Sequence, residues 1–307
     1  MRIVVMGAGG VGGYFGARLQ QAGNEVAFIA RGRHLEALRA KGLALKSALG
    51  DAQLEVRTFE RPADAGPADV VLFAVKLWDT EAAAEAIRPN LASGGVVIPF
   101  QNGVESIERL SKVLGSGPVL GGSAYIATRI ASPGVIQHTG NFAKLIFGPV
   151  IASQKPEAEA FLAACKGAGI EANLSENIVR VNWEKFVYLV GISGACSVAR
   201  APMGVIRSDP DLRRLLEDVF RETWLVGRKR GVALAEDFVA RQLALADSFP
   251  PEMKPSMLGD LEAGGRLEAP WLCGAVVRMG GEAGIDVPAN RAIYAALKPY
   301  LAGRPSK

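Results

Sequence analysis

The chain has 307 residues, of which 49% are hydrophobic and 21% are charged, and its formal net charge is +4. This composition excludes a disordered chain, and the length is sufficient for two globular domains. Because the net charge is small and the sequence holds no dense block of Lys and Arg, we expect no nucleic-acid partner.

The first half of the sequence alternates short apolar runs with helical patterns, which predicts a parallel sheet with crossover helices. The predicted elements are, in chain order, strand 3–6, helix 11–22, strand 25–30, helix 34–40, strand 69–75, helix 80–91 and strand 95–100. They continue with strands 119–127, 135–138 and 144–147, helix 157–166 and strand 170–173, with a turn at 132–134.

The second half of the sequence has a different pattern. After about Ser175 the apolar residues recur at helical spacing almost to the end, which predicts a mainly helical region. The clearest helix start is Ser208-Asp209-Pro210, with a capping residue and a proline suited to the first turn, and Gly231 is its expected end. The predicted fold class is therefore α/β: a Rossmann-like, doubly wound parallel sheet in residues 1–175, and a mainly α-helical domain for substrate and dimerisation in residues 176–307.

A glycine motif follows the first predicted strand directly and opens the first predicted helix. It reads Gly7-Ala8-Gly9-Gly10-Val11-Gly12, the GxGxxG pattern in the context that dinucleotide binding requires. Gly7 permits the tight turn, Gly9 lets the backbone approach a pyrophosphate, and Gly12 lets helix and strand pack closely. Gly10 and Val11 lie where the motif opens the predicted helix, and the free N–H groups at a helix N-terminus favour phosphates. The alternative is a glycine-rich turn with a structural role only.

The end of the second predicted strand indicates which dinucleotide is bound. NAD sites usually carry an acidic residue at this place, whereas this chain has Arg31-Gly32-Arg33. Because an arginine can pair with a 2′-phosphate, Arg31 favours NADPH, the alternative being a solvated loop arginine.

Lys76 and Asn102 follow two further strands. Ligands of doubly wound sheets lie outside the carboxyl ends of the strands, so both side chains are candidate cofactor-binding groups. A lysine reaching solvent and a simple Asn-Gly turn are the alternatives.

The cysteine and histidine content argues against a metal site. The chain has only two histidines, and Cys165, Cys196 and Cys273 are widely spaced in apolar surroundings. We therefore expect reduced, buried thiols, no metal, and a cytoplasmic location. The apolar stretch 186–198 is too short for a membrane span, so no membrane partner is expected.

Taken together, these motifs resemble the ketopantoate reductase (2-dehydropantoate 2-reductase) family over nearly the whole chain. The resemblance rests on the glycine motif, Arg31, Lys76, Gln101-Asn102-Gly103, Trp183-Glu184-Lys185, Ser256-Met257-Leu258 with Asp260, and Glu268. It implies NADPH as cofactor, a small 2-oxo acid as substrate, hydride delivery to the 2-oxo carbon, and a place in pantothenate biosynthesis.

The resemblance also implies roles for individual residues. Lys185 is the general acid, Asn102 lies near the nicotinamide and the substrate, and Ser256 and Glu268 hold polar groups of the substrate. The apolar neighbours of Lys185 fit an acid whose pKa is lowered by burial, although a lysine reaching solvent is the alternative. Tyr188 in the same helix is a weaker candidate for the proton donor.

One part of the lysine helix departs from the family pattern. The family carries asparagines four and eight residues after the lysine, where this chain has Leu189 and Ser193. With Ser193 as the remaining polar contact, a different polar pattern on the substrate is expected.

Two alternative functions remain open at this point. One is another NADP-dependent hydroxyacid or imine oxidoreductase of the 6-phosphogluconate dehydrogenase-like group, and the other is an NADPH-binding sensor without turnover. A homodimer is expected because two-fold dimers are the commonest homo-oligomers.

Overall fold

A computed structural model describes residues 1–304 of the chain. Its described residues form two compact units, one from Met1 to Val181 and the other from Asn182 onward. The division lies a few residues after the boundary expected at Ser175, inside a helix that begins at Ile178.

The first unit contains both sheets. Its strands are β1 Arg2–Met6, β2 Glu25–Ile29, β3 Leu43–Lys46, β4 Ala52–Leu54, β5 Arg57–Phe59, β6 Ala68–Phe73, β7 Leu91–Pro99, β8 Gly121–Ser132, β9 Val135–Gly148 and β10 Glu171–Leu174. Its helices are α1 Gly10–Gln21, α2 Gly32–Lys41, α3 Thr80–Ile87, α4 Ser106–Leu114 and α5 Lys155–Gly167, and a 3-10 turn spans Leu77–Asp79.

The first sheet has the strand order β5-β2-β1-β6-β7, and all of its pairs are parallel. Side chains of β1 alternate between two apolar cores: Ile3 and Val5 pack on one face, and Val4 and Met6 on the other. A strand buried on both faces reads as a continuous apolar run, which is why β1 and β6 were recognisable in the sequence. The Rossmann-like parallel sheet is therefore confirmed.

The second sheet has the order β10-β9-β3-β4, and β8 pairs with β9 as an antiparallel hairpin. The turn predicted at 132–134 joins these two strands. β9 is one strand where the sequence indicated two, because exposed residues around Gly140 interrupt its apolar alternation without ending its pairing with β8. The strands β3, β4 and β5 and the helix α4 were not predicted from the sequence. The three strands are only three or four residues long; β3 and β5 pair with the distant strands β9 and β2, and β4 pairs with β3.

The described part of the second unit is mainly helical, as predicted, and contains no strand. Its helices are α6 Ile178–Ala199, which begins in the first unit, α7 Met203–Ser208, α8 Pro210–Lys229, α9 Phe238–Asp247, α10 Ser256–Ala263, α11 Cys273–Ala283 and α12 Pro288–Leu297.

Helix α8 begins as its sequence predicts. The Asp209 carboxylate accepts hydrogen bonds from the backbone N–H groups of Asp211 (3.0 Å) and Leu212 (2.9 Å), and Pro210 occupies the first helical position. Both features satisfy the start of a helix, where backbone N–H groups have no partner within the helix.

Within residues 1–304, no helix combines the length and the hydropathy needed to cross a bilayer.

Candidate active site

The glycine motif forms the loop between β1 and α1, and backbone hydrogen bonds fix it on two sides. The Ala8 N–H donates to the Ile29 carbonyl (3.0 Å) at the end of β2, and the Ala74 N–H donates to the Met6 carbonyl (2.9 Å) beyond the end of β6. In the order β2-β1-β6 the chain passes from β1 to β2 on one side of β1 and later returns to β6 on the other side, so the strand order reverses at β1. Doubly wound sheets bind their ligands at such a switch point.

The glycines of this loop have distinct surroundings. Gly7 has a φ of +101°, and a Cβ added to it would lie 2.9 Å from the Val75 nitrogen. A Cβ at Gly12 would lie 2.2 Å from the Gly7 carbonyl oxygen, and one at Gly10 would lie 2.8 Å from Thr128 Oγ1. A Cβ at Gly9 would have no heavy atom within 4 Å. Gly7, Gly10 and Gly12 are therefore needed for packing, whereas the Gly9 side of the loop faces open space.

The start of α1 is available to an anion. Gly9 occupies the N-cap position without a side-chain cap, and Gly10 and Val11, both half-buried, are the first two helical residues. The N-terminal N–H groups of a helix favour phosphate, and no side chain of the N-cap residue competes for them. The open Gly9 side and this uncapped helix start fit the pyrophosphate of a dinucleotide.

Two cations lie at the carboxyl ends of the strands that flank β1. Arg31 is the N-cap of α2, directly after β2, and its guanidinium forms an ion pair with Asp79. Lys76 follows β6, is exposed, and holds its Nζ 5.7 Å from the ring centre of Trp78. The sequence predicted both cations, but it gave no indication that Asp79 pairs with Arg31.

Hydrogen bonds connect the segment after β7 to the segment after β6. Gln101 Nε2 donates to the Val75 carbonyl (2.9 Å) and to Thr80 Oγ1 (2.9 Å), and Gly103 has a φ of +83°. Asn102 is half-buried between them. These bonds fix the backbone on which Asn102 is carried.

His34 contacts the glycine loop, a role that the sequence did not reveal. Its Nδ1 accepts a hydrogen bond from the Gly134 N–H (3.1 Å), so its Nε2 carries the proton and donates to the Ala8 carbonyl (2.8 Å). The imidazole thereby links the glycine loop to the β8–β9 turn, and burial lowers its pKa. The one signal in the sequence that could have pointed to this contact is that His34 lies three residues after Arg31, close to the end of β2.

In the second unit, the general-acid candidate Lys185 lies in α6 and is half-buried. Burial lowers the pKa of Lys185 to about 8, and the charge of Glu268 acts in the opposite direction and raises it. Glu268 is itself buried, with 7% of its surface exposed, directly before the 3-10 turn Ala269–Trp271. The structure thus places Lys185 within the electrostatic influence of Glu268, as a site containing both residues requires.

Tyr188 is a poorer proton donor than Lys185. Burial raises the pKa of its hydroxyl, and its ring packs against Phe249 at 5.8 Å between centres. A raised pKa makes an acid weaker, whereas the lowered pKa of Lys185 brings it towards neutral pH.

The two serine candidates differ in their surroundings. Ser193 lies in α6 with 1% of its surface exposed, and its Oγ has no hydrogen-bond partner among the described residues. Positions 185, 189 and 193 recur every four residues, so Lys185, Leu189 and Ser193 share one face of α6. Ser256 is the first residue of α10 and is exposed.

No group of three or more His, Cys, Asp or Glu side chains in residues 1–304 is arranged to hold a metal ion. The three cysteines are free and buried, and burial raises the pKa of each thiol to about 12.

Comparisons with known proteins cover almost the whole chain. The model of the family "Ketopantoate reductase PanE/ApbA" matches residues 3–151, and the model of "Ketopantoate reductase PanE/ApbA C terminal" matches residues 177–301. The chain is 33% identical to the 2-dehydropantoate 2-reductase of Archaeoglobus fulgidus over 303 residues, which is 98% of each protein.

Solved structures share the fold. The PanE/ApbA family ketopantoate reductase of Ralstonia eutropha JMP134 superposes with a TM-score of 0.90 at 34% identity, covering 98% of each chain. D-mandelate dehydrogenase in its ternary structure with NADH and anilino(oxo)acetate also reaches a TM-score of 0.90, at 19% identity and 98% coverage of each chain, and shares the fold alone.

Proposed function

The chain belongs to the ketopantoate reductase family, a family of nicotinamide-dependent oxidoreductases, and we propose that it catalyses the NADPH-dependent reduction of a 2-oxo acid, 2-dehydropantoate or a close analogue. The observation that carries this proposal is the half-buried Lys185 with its lowered pKa and the buried carboxylate of Glu268 acting on it.

The residues of the first unit would hold the cofactor. The open side of Gly9 and the start of α1 at Gly10 and Val11 receive the pyrophosphate, and Arg31 and Lys76 receive the 2′-phosphate. When bound, NADPH supplies the hydride that reduces the C2 carbonyl of the substrate.

Lys185 supplies the acid of the reaction. As the ketone oxygen gains negative charge, the ammonium group stabilises that charge and donates a proton from Nζ. A pKa of about 8 keeps most Lys185 side chains protonated at neutral pH while making them better acids than a solvated lysine. Glu268 supports the protonated form, because its negative charge raises the pKa that burial lowers.

The remaining candidates position the substrate. Ser193 offers a buried hydroxyl on the Lys185 face of α6, and Ser256 and Glu268 are proposed to hold polar groups of the substrate. Asn102 is proposed to lie near the nicotinamide and the substrate. Leu189 adds an apolar side chain to the Lys185 face, which favours a substrate with fewer polar groups at that point.

The location and assembly of the protein are part of the proposal. The three buried, free cysteines support a reducing compartment, for which we propose the cytoplasm. We also propose a homodimer, and light scattering at several protein concentrations checks it; a monomer at all of them contradicts it.

The test is the initial rate of NADPH oxidation with 2-dehydropantoate and a panel of branched 2-oxo acids, using wild type and Lys185→Ala. We expect turnover on the order of 1 s⁻¹ or faster on at least one substrate, and a loss of about a thousandfold or more in the variant. Turnover of only an imine with NADPH, or of only a 3-hydroxyacid with NADP⁺ in the oxidative direction, would indicate the related chemistry of the 6-phosphogluconate dehydrogenase-like group. NADPH binding without turnover of any substrate would contradict the reductase and favour a sensor.

A further inference from the structure

Asp79 is the acidic residue in direct contact with the arginine proposed for the 2′-phosphate. Its carboxylate pairs with the guanidinium of Arg31, although the two residues are 48 positions apart in the sequence. The pair forms because β2 and β6 lie on either side of β1 in the parallel sheet, so the segments after them meet at the same edge.

The carboxylate of Asp79 contacts Arg31 at this edge of the sheet and does not cap its own helix. Asp79 is the N-cap of α3, a position where an aspartate usually accepts hydrogen bonds from the first turn, yet its side chain makes no capping bond. Its backbone is fixed instead, because the Asp79 N–H donates to the Lys76 carbonyl (2.9 Å) and Thr80 Oγ1 donates to the Leu77 carbonyl (2.9 Å). Asp79 has 26% of its side-chain surface exposed, against 76% for Arg31, so the acid is the better-fixed partner.

This arrangement changes what the sequence indicated about the cofactor. The end of β2 holds no acid, and the absence of one was the argument for NADPH over NADH. The loop after β6 supplies a carboxylate to the same place in space. We propose that Asp79 is a specificity-determining residue that limits the discrimination for NADPH against NADH; this inference rests on the proposed dinucleotide function of the first unit.

The physical reason lies in the charges around the 2′ position. Arg31 and Lys76 attract a phosphate dianion, while the Asp79 carboxylate repels it and competes with it for the Arg31 guanidinium. For NADH the same carboxylate is an acceptor for the ribose 2′-hydroxyl, as acids at the end of the second strand are in NAD sites. Asp79 therefore acts in opposite directions on the two cofactors.

The test is the dissociation constant of NADPH and of NADH for Asp79→Asn, measured by cofactor fluorescence without substrate. We expect NADPH to bind about threefold more tightly and NADH about threefold more weakly, so that the ratio of the two constants changes by about tenfold. Because both groups are partly exposed, the change in NADPH affinity should shrink as the salt concentration rises.

Glu81→Gln is the matched control. Glu81 lies two residues further along, in α3, and pairs with Arg109 instead of Arg31, so the variant removes one carboxylate charge nearby without touching the Arg31 pair. Its cofactor ratio should stay within about twofold of wild type. Thermal melting of both variants checks that each is folded.

Two outcomes overturn the inference. Weaker NADPH binding with unchanged NADH binding in Asp79→Asn would show that Asp79 merely orients Arg31 for the phosphate, and an unchanged ratio would show that it has no part in specificity. In both cases the wild type still binds a dinucleotide, so the proposed function stands. Failure of the wild type to bind either cofactor would contradict both proposals.

Discussion

Lys185 is the residue whose environment does most to define the proposed chemistry. Its ammonium must be protonated to act as the acid, and burial has brought its pKa to about 8. Above that pH a growing share of the enzyme holds a neutral lysine, which can neither stabilise the oxyanion nor donate a proton. We therefore expect kcat/KM for the reduction to fall as the pH rises through about 8.

Glu268→Gln provides a matched test of this assignment. Because the negative charge of Glu268 raises the pKa of Lys185, its removal should move the fall in kcat/KM to lower pH. The measurement is the pH–rate profile of both proteins between pH 6 and 10. A wild-type profile without a fall, or one unmoved in the variant, would show that Lys185 is not the titrating acid.

A second prediction at the level of the single residue concerns His34 and the pH dependence of stability. Its neutral form accepts from the Gly134 N–H and donates to the Ala8 carbonyl, and burial lowers its pKa below the ordinary value of 6.5. The unfolded chain therefore binds a proton before the folded chain does. The contribution of neutral His34 to the free energy of unfolding is therefore complete above about pH 6.5, and it is lost as the pH falls below that value.

His34→Gln should remove this part of the pH dependence, since a glutamine does not titrate. The free energy of unfolding, measured with urea at pH 7.5 and pH 5.5, should drop more in wild type than in the variant. Equal drops in the two proteins would mean that the imidazole of His34 is not the group responsible.

The prediction at the level of elements concerns the loop between β1 and α1, where two glycines of one motif should respond differently to alanine. Gly9 and Gly12 belong to one motif, yet a methyl group at Gly12 would collide with the Gly7 carbonyl oxygen at 2.2 Å, while one at Gly9 would meet nothing within 4 Å. Gly12→Ala should therefore destabilise the first unit by about 2 kcal/mol or more, because backbone atoms must move.

Gly9→Ala should instead fold normally and lose cofactor affinity, because its methyl group occupies the open side proposed for the pyrophosphate. Its backbone, at φ −75° and ψ −161°, suits an alanine without strain. Thermal melting measures the stability of both variants, and NADPH titration measures their cofactor affinity. Normal NADPH affinity in Gly9→Ala would place the pyrophosphate elsewhere.

At the scale of the whole molecule, the chain consists of two compact units, and the proposed cofactor residues Gly9, Arg31 and Lys76 all belong to the first. A ligand that binds the folded form alone stabilises it by mass action, about 2.7 kcal/mol at a hundredfold excess over the dissociation constant. Calorimetry with and without NADPH should show a higher melting temperature with the cofactor. Gly9→Ala is the control, and its melting temperature should respond far less to the same NADPH concentration. An unchanged wild-type melting temperature at saturating NADPH would contradict cofactor binding by the folded chain.

The sequence alone determined the features whose signals are local. β1, the glycine loop and the start of α1 follow one another within a few residues, so the dinucleotide motif could be identified together with its context. The Asp209 cap and Pro210 predicted the start of α8 for the same reason. The helical character of the second unit followed from a periodicity that repeats every turn, and the lysine of α6 stood out by its apolar neighbours and by family resemblance.

Only the tertiary structure decided how distant segments meet. The short strands β3 and β5 pair with the remote strands β9 and β2, β4 is added at the edge beside β3, and no periodicity develops over three or four residues. The ion pair of Arg31 with Asp79 spans 48 positions, and the bond from Gly134 to His34 spans 100. Such contacts depend on the order of strands in the sheet and leave no mark on the local sequence. The pKa of Lys185 likewise depends on how the folded chain buries the side chain, which lowers it, and on the charge of Glu268, far from it in the sequence, which raises it.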